Sequence, residues 1–133
     1  MTKRKAKKQS VNWLDADFTI NAPKPTPRHD EGVKYDEGKP AWDLLPYDAL
    51  EDVADVLTYG ASKYARRNWE KGMDWGRLLR ASVGHLAKFM MGEANDTESG
   101  KHHLAHAAAD VLFVLAYFKR KVGTDDRSKR TAG

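Results

Sequence analysis

The sequence contains no cysteine among its 133 residues. Disulfide bonds and metal sites built from thiolates are therefore excluded, which fits a reducing compartment. Long apolar runs are also missing, because the longest, VLFVLAYF at 111–118, is far shorter than the roughly 20 residues that span a bilayer. The basic start MTKRKAKKQS is followed by no apolar stretch, so it lacks the pattern of a secretory signal. These absences predict a cytoplasmic chain with no membrane segment.

Two common nucleotide-binding motifs and the pattern of β-strands are missing as well. Neither GxxxxGK[ST] nor GxGxxG occurs in the chain, which excludes a P-loop and a Rossmann fold. The body shows no convincing alternation of apolar and polar residues. Three stretches instead repeat apolar residues at helical spacing, at about 47–66, 75–91 and 101–121. The sequence therefore predicts an all-α fold, a small helical bundle.

The predicted bundle has additional segments at both ends. Three prolines between residues 23 and 27 break regular structure and indicate an extended arm over 1–31. The folded domain is predicted at 32–121, followed by a flexible basic tail at 122–133. A bundle this small, with so apolar a third helix, is expected to form a homo-oligomer, a dimer or a tetramer. The second helix is predicted to bury Leu79, Val83, Leu86 and Met90.

Charge is unevenly distributed along the chain. The net charge is +4, but residues 9–118 carry seventeen acids against twelve bases, and the excess of lysine and arginine lies at the two ends. Basic ends can hold nucleic acid without sequence preference, although solubilising ends are the simpler interpretation. An acidic body disfavours a nucleic-acid-binding core. It suits a site for a cation.

Acidic and histidine side chains are concentrated in GEANDTESGKHHLAHAAAD, residues 92–110. His103, His106 and Asp110 are spaced by three and four residues, so they share one face of the third helix. Carboxylates suit Mg²⁺ and Mn²⁺, and Mn²⁺ also accepts imidazole. If the second and third helices run antiparallel, His85 lies at the level of His106 and Asp110. The metal ligands predicted from this stretch are Glu93, Asp96, Glu98, His106 and Asp110.

Some of these residues also have structural interpretations. His85, beside an apolar stripe, could be a hydrogen-bonded core histidine, and Asp96 could cap a turn. Asp110 lies between AAA and VLFVL, and a buried carboxylate is costly unless it is paired or bound to a metal. We therefore interpret the cluster as functional rather than structural.

Basic and aromatic residues before the second helix predict an anionic, nucleotide-like ligand. The turn-rich GVKYDEGKP offers ammonium groups that suit phosphates. The stretch YGASKYARRNWEKGMDW, residues 59–75, adds further cations, flat rings on which a base can stack and an amide that can recognise a base edge. The predicted substrate-binding residues are Lys34, Asp36, Lys39, Lys63, Tyr64, Asn68, Trp69 and His103.

Three segments together resemble a known family: GVKYDEGKPAWDLLPYDAL, YGASKYARRNW and GHLAKFMMGEANDTESGKHHLAHAA. Taken jointly, over about residues 32–118, they look like the MazZ-type dATP/dGTP diphosphohydrolase family. That family is related to the all-α MazG-like nucleoside triphosphate pyrophosphohydrolases. The resemblance implies a helical, usually oligomeric enzyme that uses Mg²⁺ or Mn²⁺ to split a nucleoside triphosphate into monophosphate and pyrophosphate.

For this chain the resemblance implies hydrolysis of a purine deoxynucleoside triphosphate, dGTP or dATP, in the cytoplasm of a phage-infected bacterium. The pathway implied is the one that supplies 2-aminoadenine DNA. Glu93, Glu98 and His85 are then the candidates for taking the proton of the attacking water. Two other functions fit the residues: a non-catalytic phage protein that binds nucleotide or nucleic acid, and a histidine-rich metallohydrolase acting on another phosphoester.

Overall fold

The computed structural model describes residues 30–129, and its regular structure is helical. Helix α1 spans Tyr47–Lys63, α2 spans Trp75–Met90 and α3 spans His103–Arg120, with short 3-10 helices at Trp42–Leu44 and Asn68–Lys71. Within 30–129 the only β-type pairings are two isolated bridges, and no strand forms. The all-α prediction is confirmed, and each predicted helix boundary lies within about one turn of the observed one. No helix in this part of the chain is long and apolar enough to cross a membrane.

Residues 30–39 belong to one unit, and the residues from Pro40 to 129 belong to a second unit, which contains the helices. The described part of the first unit, 30–39, is exposed throughout. The arm predicted over 1–31 lies almost entirely outside the described residues, as do residues 130–133 of the predicted tail.

Helices α2 and α3 pack side by side in opposite directions. Near the start of α2, Trp75 Nε1 donates to the Val122 carbonyl just beyond the end of α3. Further along, Ser82 Oγ donates to the Ala107 carbonyl at 3.0 Å. On the other side of α3, α1 packs Val56 against alanines of α3, whose small side chains allow the two helices to approach closely. Helix α3 is therefore the central element of the bundle.

The buried face of α2 differs from the prediction. Val83, Leu86 and Met90, predicted to be buried, are 64%, 42% and 85% exposed. The face that α3 covers instead begins with Trp75, and it includes Ser82 together with two other residues, Leu78 and His85. This face is favoured because α3 supplies the partners of its polar side chains, a carbonyl for Ser82 and an imidazole for His85. The hydrophobic pattern alone predicted the more apolar stripe, which does not contain these two polar residues.

The chain that leaves α3 folds back onto the start of α2. Val122 packs beside Trp75, and the Gly76 N–H donates to Asp126 Oδ1 at 2.7 Å. Gly123 has a φ of +74°, and a Cβ there would collide with the Met73 carbonyl. The first residues of the segment predicted as a tail therefore contribute contacts to the helical unit.

Candidate functional site

A cavity of about 690 Å³ opens between α1, the connection after it, α2 and α3. His106, Asp110 and Phe113 follow one another along α3 on the wall of this cavity. His106 and Phe113 are seven residues apart, about 10 Å along a helix axis. The histidine end is polar, whereas the Phe113 end is bordered by Trp69 and Met73.

A chain of hydrogen bonds begins behind the polar end of the cavity. Glu93 Oε1 lies 2.9 Å from His103 Nε2, and His103 Nδ1 lies 2.9 Å from His85 Nδ1. His103 has no exposed surface, and both of its ring nitrogens are engaged. Direct contact between His103 and a substrate, as predicted, would require this buried ring to lose a partner. We therefore assign His103 to the buried interior of the site, where it links Glu93 to His85, rather than to contact with substrate.

The order of donors along this chain follows from the chemistry of its first member. An ionised Glu93 can only accept, so His103 Nε2–H donates to it. Neutral His103 then has an acceptor at Nδ1, so His85 Nδ1–H donates to it, and the lone pair of His85 lies on Nε2. Glu93 thus sets the tautomer of His85, which lines the cavity. Glu93 itself is not part of the cavity wall and acts through His103.

A second set of contacts holds Asp96 and His106 together. Asp96 Oδ2 accepts from the Ser99 N–H at 3.1 Å and from Ser99 Oγ at 3.0 Å. Ser99 Oγ also lies 2.6 Å from His106 Nε2, and the His106 ring stacks on His85 at 4.5 Å. The turn that carries Ser99 is closed at Gly100, whose φ of +72° favours glycine. The loop between α2 and α3 thereby places a carboxylate beside two imidazoles.

The electrostatics of these groups favour neutral imidazoles beside a charged carboxylate. Burial, together with the neighbouring His106, lowers the pKa of His85, and burial lowers the pKa of His106 against the opposing effect of Asp96. Burial would raise the pKa of Asp96, but the hydrogen bonds from Ser99 and the two histidines lower it overall. Unprotonated nitrogens and an ionised carboxylate are the forms that bind a metal.

Among residues 30–129, one group of three residues could hold an ion. His85, Asp96 and His103 each offer one ligand atom, and these atoms lie within 4.8 Å of one another. The two Nδ1 atoms lie 2.9 Å apart, and an ion held by both would replace the hydrogen bond between them, with the proton of His85 moved to Nε2. Glu93 would then orient His103 from the far side, as carboxylates do for metal-bound histidines. The donor set therefore fits a divalent cation.

The other predicted metal ligands lie around this group rather than in it. Glu98 Oε1 forms an ion pair with Lys63 at 2.6 Å and is largely exposed. His106 borders Asp96, with Nε2 3.8 Å from Oδ2. Asp110 lies one turn further along α3, where burial raises its pKa to about 6. The structure thus brings Asp96, Glu98 and Asp110 to one cavity with different neighbours, and it places Glu93 outside the cavity wall, on His103.

The predicted substrate-binding residues fall into two parts of the molecule. Lys63, Tyr64, Asn68 and Trp69 line the cavity. The Trp69 ring is stacked on Phe113 at 4.6 Å, and the Arg120 guanidinium lies over the Trp69 ring. Trp69 is therefore a fixed part of the cavity wall. Three others, Lys34, Asp36 and Lys39, belong to the 30–39 unit. Their role in binding substrate remains a prediction.

Several polar residues of the cavity and its border were not among the predicted site residues, including Arg66 after α1. Arg77 and Lys88 line the cavity from α2, and Ser99 joins Asp96 to His106. A signal for the two cations of α2 was available, because residues 77, 85 and 88 share one face of a helix. No comparable signal existed for Ser99, whose contacts depend on the path of a loop.

Comparison with known proteins identifies the family of the chain. The family model described as "dATP/dGTP diphosphohydrolase, N-terminal" matches residues 29–127. A protein of Salmonella phage PMBT28 named dATP/dGTP diphosphohydrolase is 38% identical over 96 residues, which are 72% of this chain and 33% of the relative. The chain thus spans about a third of that relative's length, and no solved structure matches. This chain belongs to the dATP/dGTP diphosphohydrolase N-terminal family.

Proposed function

We propose that this chain hydrolyses purine deoxynucleoside triphosphates, dGTP and dATP, to the monophosphate and pyrophosphate with the help of a divalent ion. The observation that carries the proposal is the group of His85, Asp96 and His103 at a cavity that is also lined by four cationic side chains. Such a cavity offers a cation site beside a place for phosphates. The name of the phage relative supports the two purine substrates. The cations are Lys63, Arg66, Arg77 and Lys88.

An ion bound by His85, Asp96 and His103 would lower the pKa of an attacking water and neutralise phosphate oxygens. The chain's own groups have complementary tasks. Glu93 fixes the orientation of His103, and Ser99 fixes that of Asp96.

Glu98 is our candidate for the proton acceptor. Its carboxylate is held by Lys63 before substrate arrives. A phosphate that binds Lys63 competes with Glu98 for the ammonium group and leaves its carboxylate able to take the proton of the attacking water. His85 and Glu93, also predicted as catalytic, are assigned to the ion site.

The donor set also suggests which ion is used. Two imidazoles and one carboxylate favour Mn²⁺ over Mg²⁺, because Mg²⁺ takes oxygen ligands and retains its water. We propose that the protein acts in phage nucleotide metabolism, which the phage origin of the relative supports. In a phage whose DNA carries 2-aminoadenine, the reaction would remove dATP and supply dGMP.

The test is to incubate the protein with dGTP, dATP or dCTP and either Mn²⁺ or Mg²⁺, and to identify the products by anion-exchange chromatography. We expect monophosphate and pyrophosphate from both purines, faster with Mn²⁺ than with Mg²⁺, and little product from dCTP. Release of orthophosphate or tripolyphosphate would contradict cleavage between the α and β phosphates. Nucleotide binding without any cleavage would favour a non-catalytic binding protein.

The exposed apolar side chains of α2 and α3 support a homo-oligomer. Val83, Met90, Val111, Leu115 and Phe118 are each about half exposed or more, whereas side chains of these types are usually buried. We expect light scattering to give a mass of two or four times the 15.0 kDa chain. The double variant Val83→Lys, Leu115→Lys should shift the mass towards one chain. A monomeric wild-type protein would contradict this expectation.

A further inference from the structure

Asp110 is a half-buried carboxylate that the ion group does not use. It lines the cavity, and within residues 30–129 it makes no side-chain hydrogen bond or ion pair. Burial raises its pKa to about 6, and no donor offsets that burial. A carboxylate in this condition would be stabilised by a ligand that brings N–H groups to it.

The neighbours of Asp110 suggest which part of the ligand it would contact. Phe113 lies three residues further along the same face of α3, and Trp69 stacks on Phe113 with an angle of 15° between the rings. Met73 packs in the same cluster. This end of the cavity has flat apolar walls that suit a nucleobase, whereas the ion group and most of the cations suit the phosphates.

The two purines differ in the groups that they offer to a carboxylate. The Watson–Crick edge of guanine carries two adjacent donors, N1–H and the 2-amino group, and an ionised carboxylate can accept from both. Adenine offers one donor, the 6-amino group, beside the lone pair of N1, which faces a second carboxylate oxygen unfavourably. Asp110 therefore distinguishes the two bases by chemistry rather than by size.

We propose that Asp110 recognises the Watson–Crick edge of the purine base and sets a preference for guanine over adenine. This inference rests on the proposed function, because it assumes that the cavity binds purine deoxynucleoside triphosphates. It assigns Asp110 to the substrate base rather than to the metal ion.

The experiment compares kcat/KM for dGTP, dATP and dITP, with Mn²⁺, in the wild-type protein and in Asp110→Asn. The wild type should prefer dGTP, and dITP, whose base lacks the 2-amino group, should lose much of that preference. Asp110→Asn should lower kcat/KM for dGTP by about tenfold to a hundredfold, the usual value of a two-bond base contact. The amide offers one donor and one acceptor, which match adenine, so kcat/KM for dATP should hold or rise.

The controls separate failure of this inference from failure of the proposed function. Asp52→Asn, the same change at an exposed site on α1, should leave the dGTP/dATP ratio unchanged. If the wild type cleaves neither purine, the proposed function fails. If it cleaves both and Asp110→Asn lowers both equally, or also removes the stabilisation of the fold by Mn²⁺, the inference alone is overturned. Asp110→Ser repeats the measurement should the asparagine variant not fold.

Discussion

Replacing Asp96 by asparagine is expected to lower turnover of purine deoxynucleoside triphosphates by about 100-fold or more, the scale for losing a metal ligand. Asp96 is the carboxylate of the group that also contains His85 and His103. Asparagine keeps an oxygen that can accept from the Ser99 N–H, but it removes the negative charge. The fold should therefore persist while the affinity for the ion falls.

Two measurements test this prediction together. Steady-state turnover reports the chemistry, and thermal unfolding with and without Mn²⁺ reports ion binding. The wild type should gain melting temperature with Mn²⁺, because a ligand that binds the folded state stabilises it, and Asp96→Asn should gain little. The exposed substitution Asp52→Asn serves as the control. A large fall in melting temperature without metal would instead make Asp96 a structural residue of the loop.

Replacing Trp75 by alanine is expected to lower the free energy of unfolding by about 3–5 kcal/mol, the usual cost of removing a buried tryptophan. Trp75 is 9% exposed and packs with Leu78 and Tyr117. Its ring nitrogen also donates to the Val122 carbonyl at 3.0 Å. One side chain thus joins the start of α2 to the chain that leaves α3.

Urea unfolding of Trp75→Ala, of Trp75→Phe and of a chain shortened after Lys121, each compared with the wild type, separates the contribution of packing from that of the hydrogen bond. Trp75→Phe keeps an aromatic ring and loses the hydrogen bond, so it should cost about 1 kcal/mol in addition to any loss of packing. A chain that ends at Lys121 loses the contacts of Val122 and Asp126 and should also unfold at lower urea. If that shortened chain is as stable as the full one, the segment from residue 122 acts as the independent tail predicted from the sequence.

The sequence was sufficient to predict the helices because their signal is local. Periodic apolar residues and flanking prolines and glycines give α1, α2 and α3 to within about one turn. The face that α2 buries was not predictable in the same way, because Ser82 and His85, which lie on it, are polar. The choice depends on α3, which supplies polar partners for Ser82 and His85.

The candidate site was predictable in composition but not in arrangement. The stretch 92–110 was recognisable by its acids and histidines, yet spacing along a chain does not tell which atoms meet across a loop. Glu93 was expected to bind a metal directly, and the structure places its carboxylate on the far side of His103. Such assignments require the path of the loop, which is set by tertiary contacts and by glycines at positive φ.

The loop that carries Asp96 is held by its own backbone as well as by its side chains. The Asp96 N–H donates to the Lys101 carbonyl and the Gly100 N–H to the Asp96 carbonyl, each at 2.8 Å, and the His103 N–H donates to Ala94 at 2.9 Å. The site is therefore preorganised: the conformational entropy of placing its carboxylate is lost during folding rather than during binding. An ion that bound His85, Asp96 and His103 would then need to order little of the chain, so little of its intrinsic affinity would be lost.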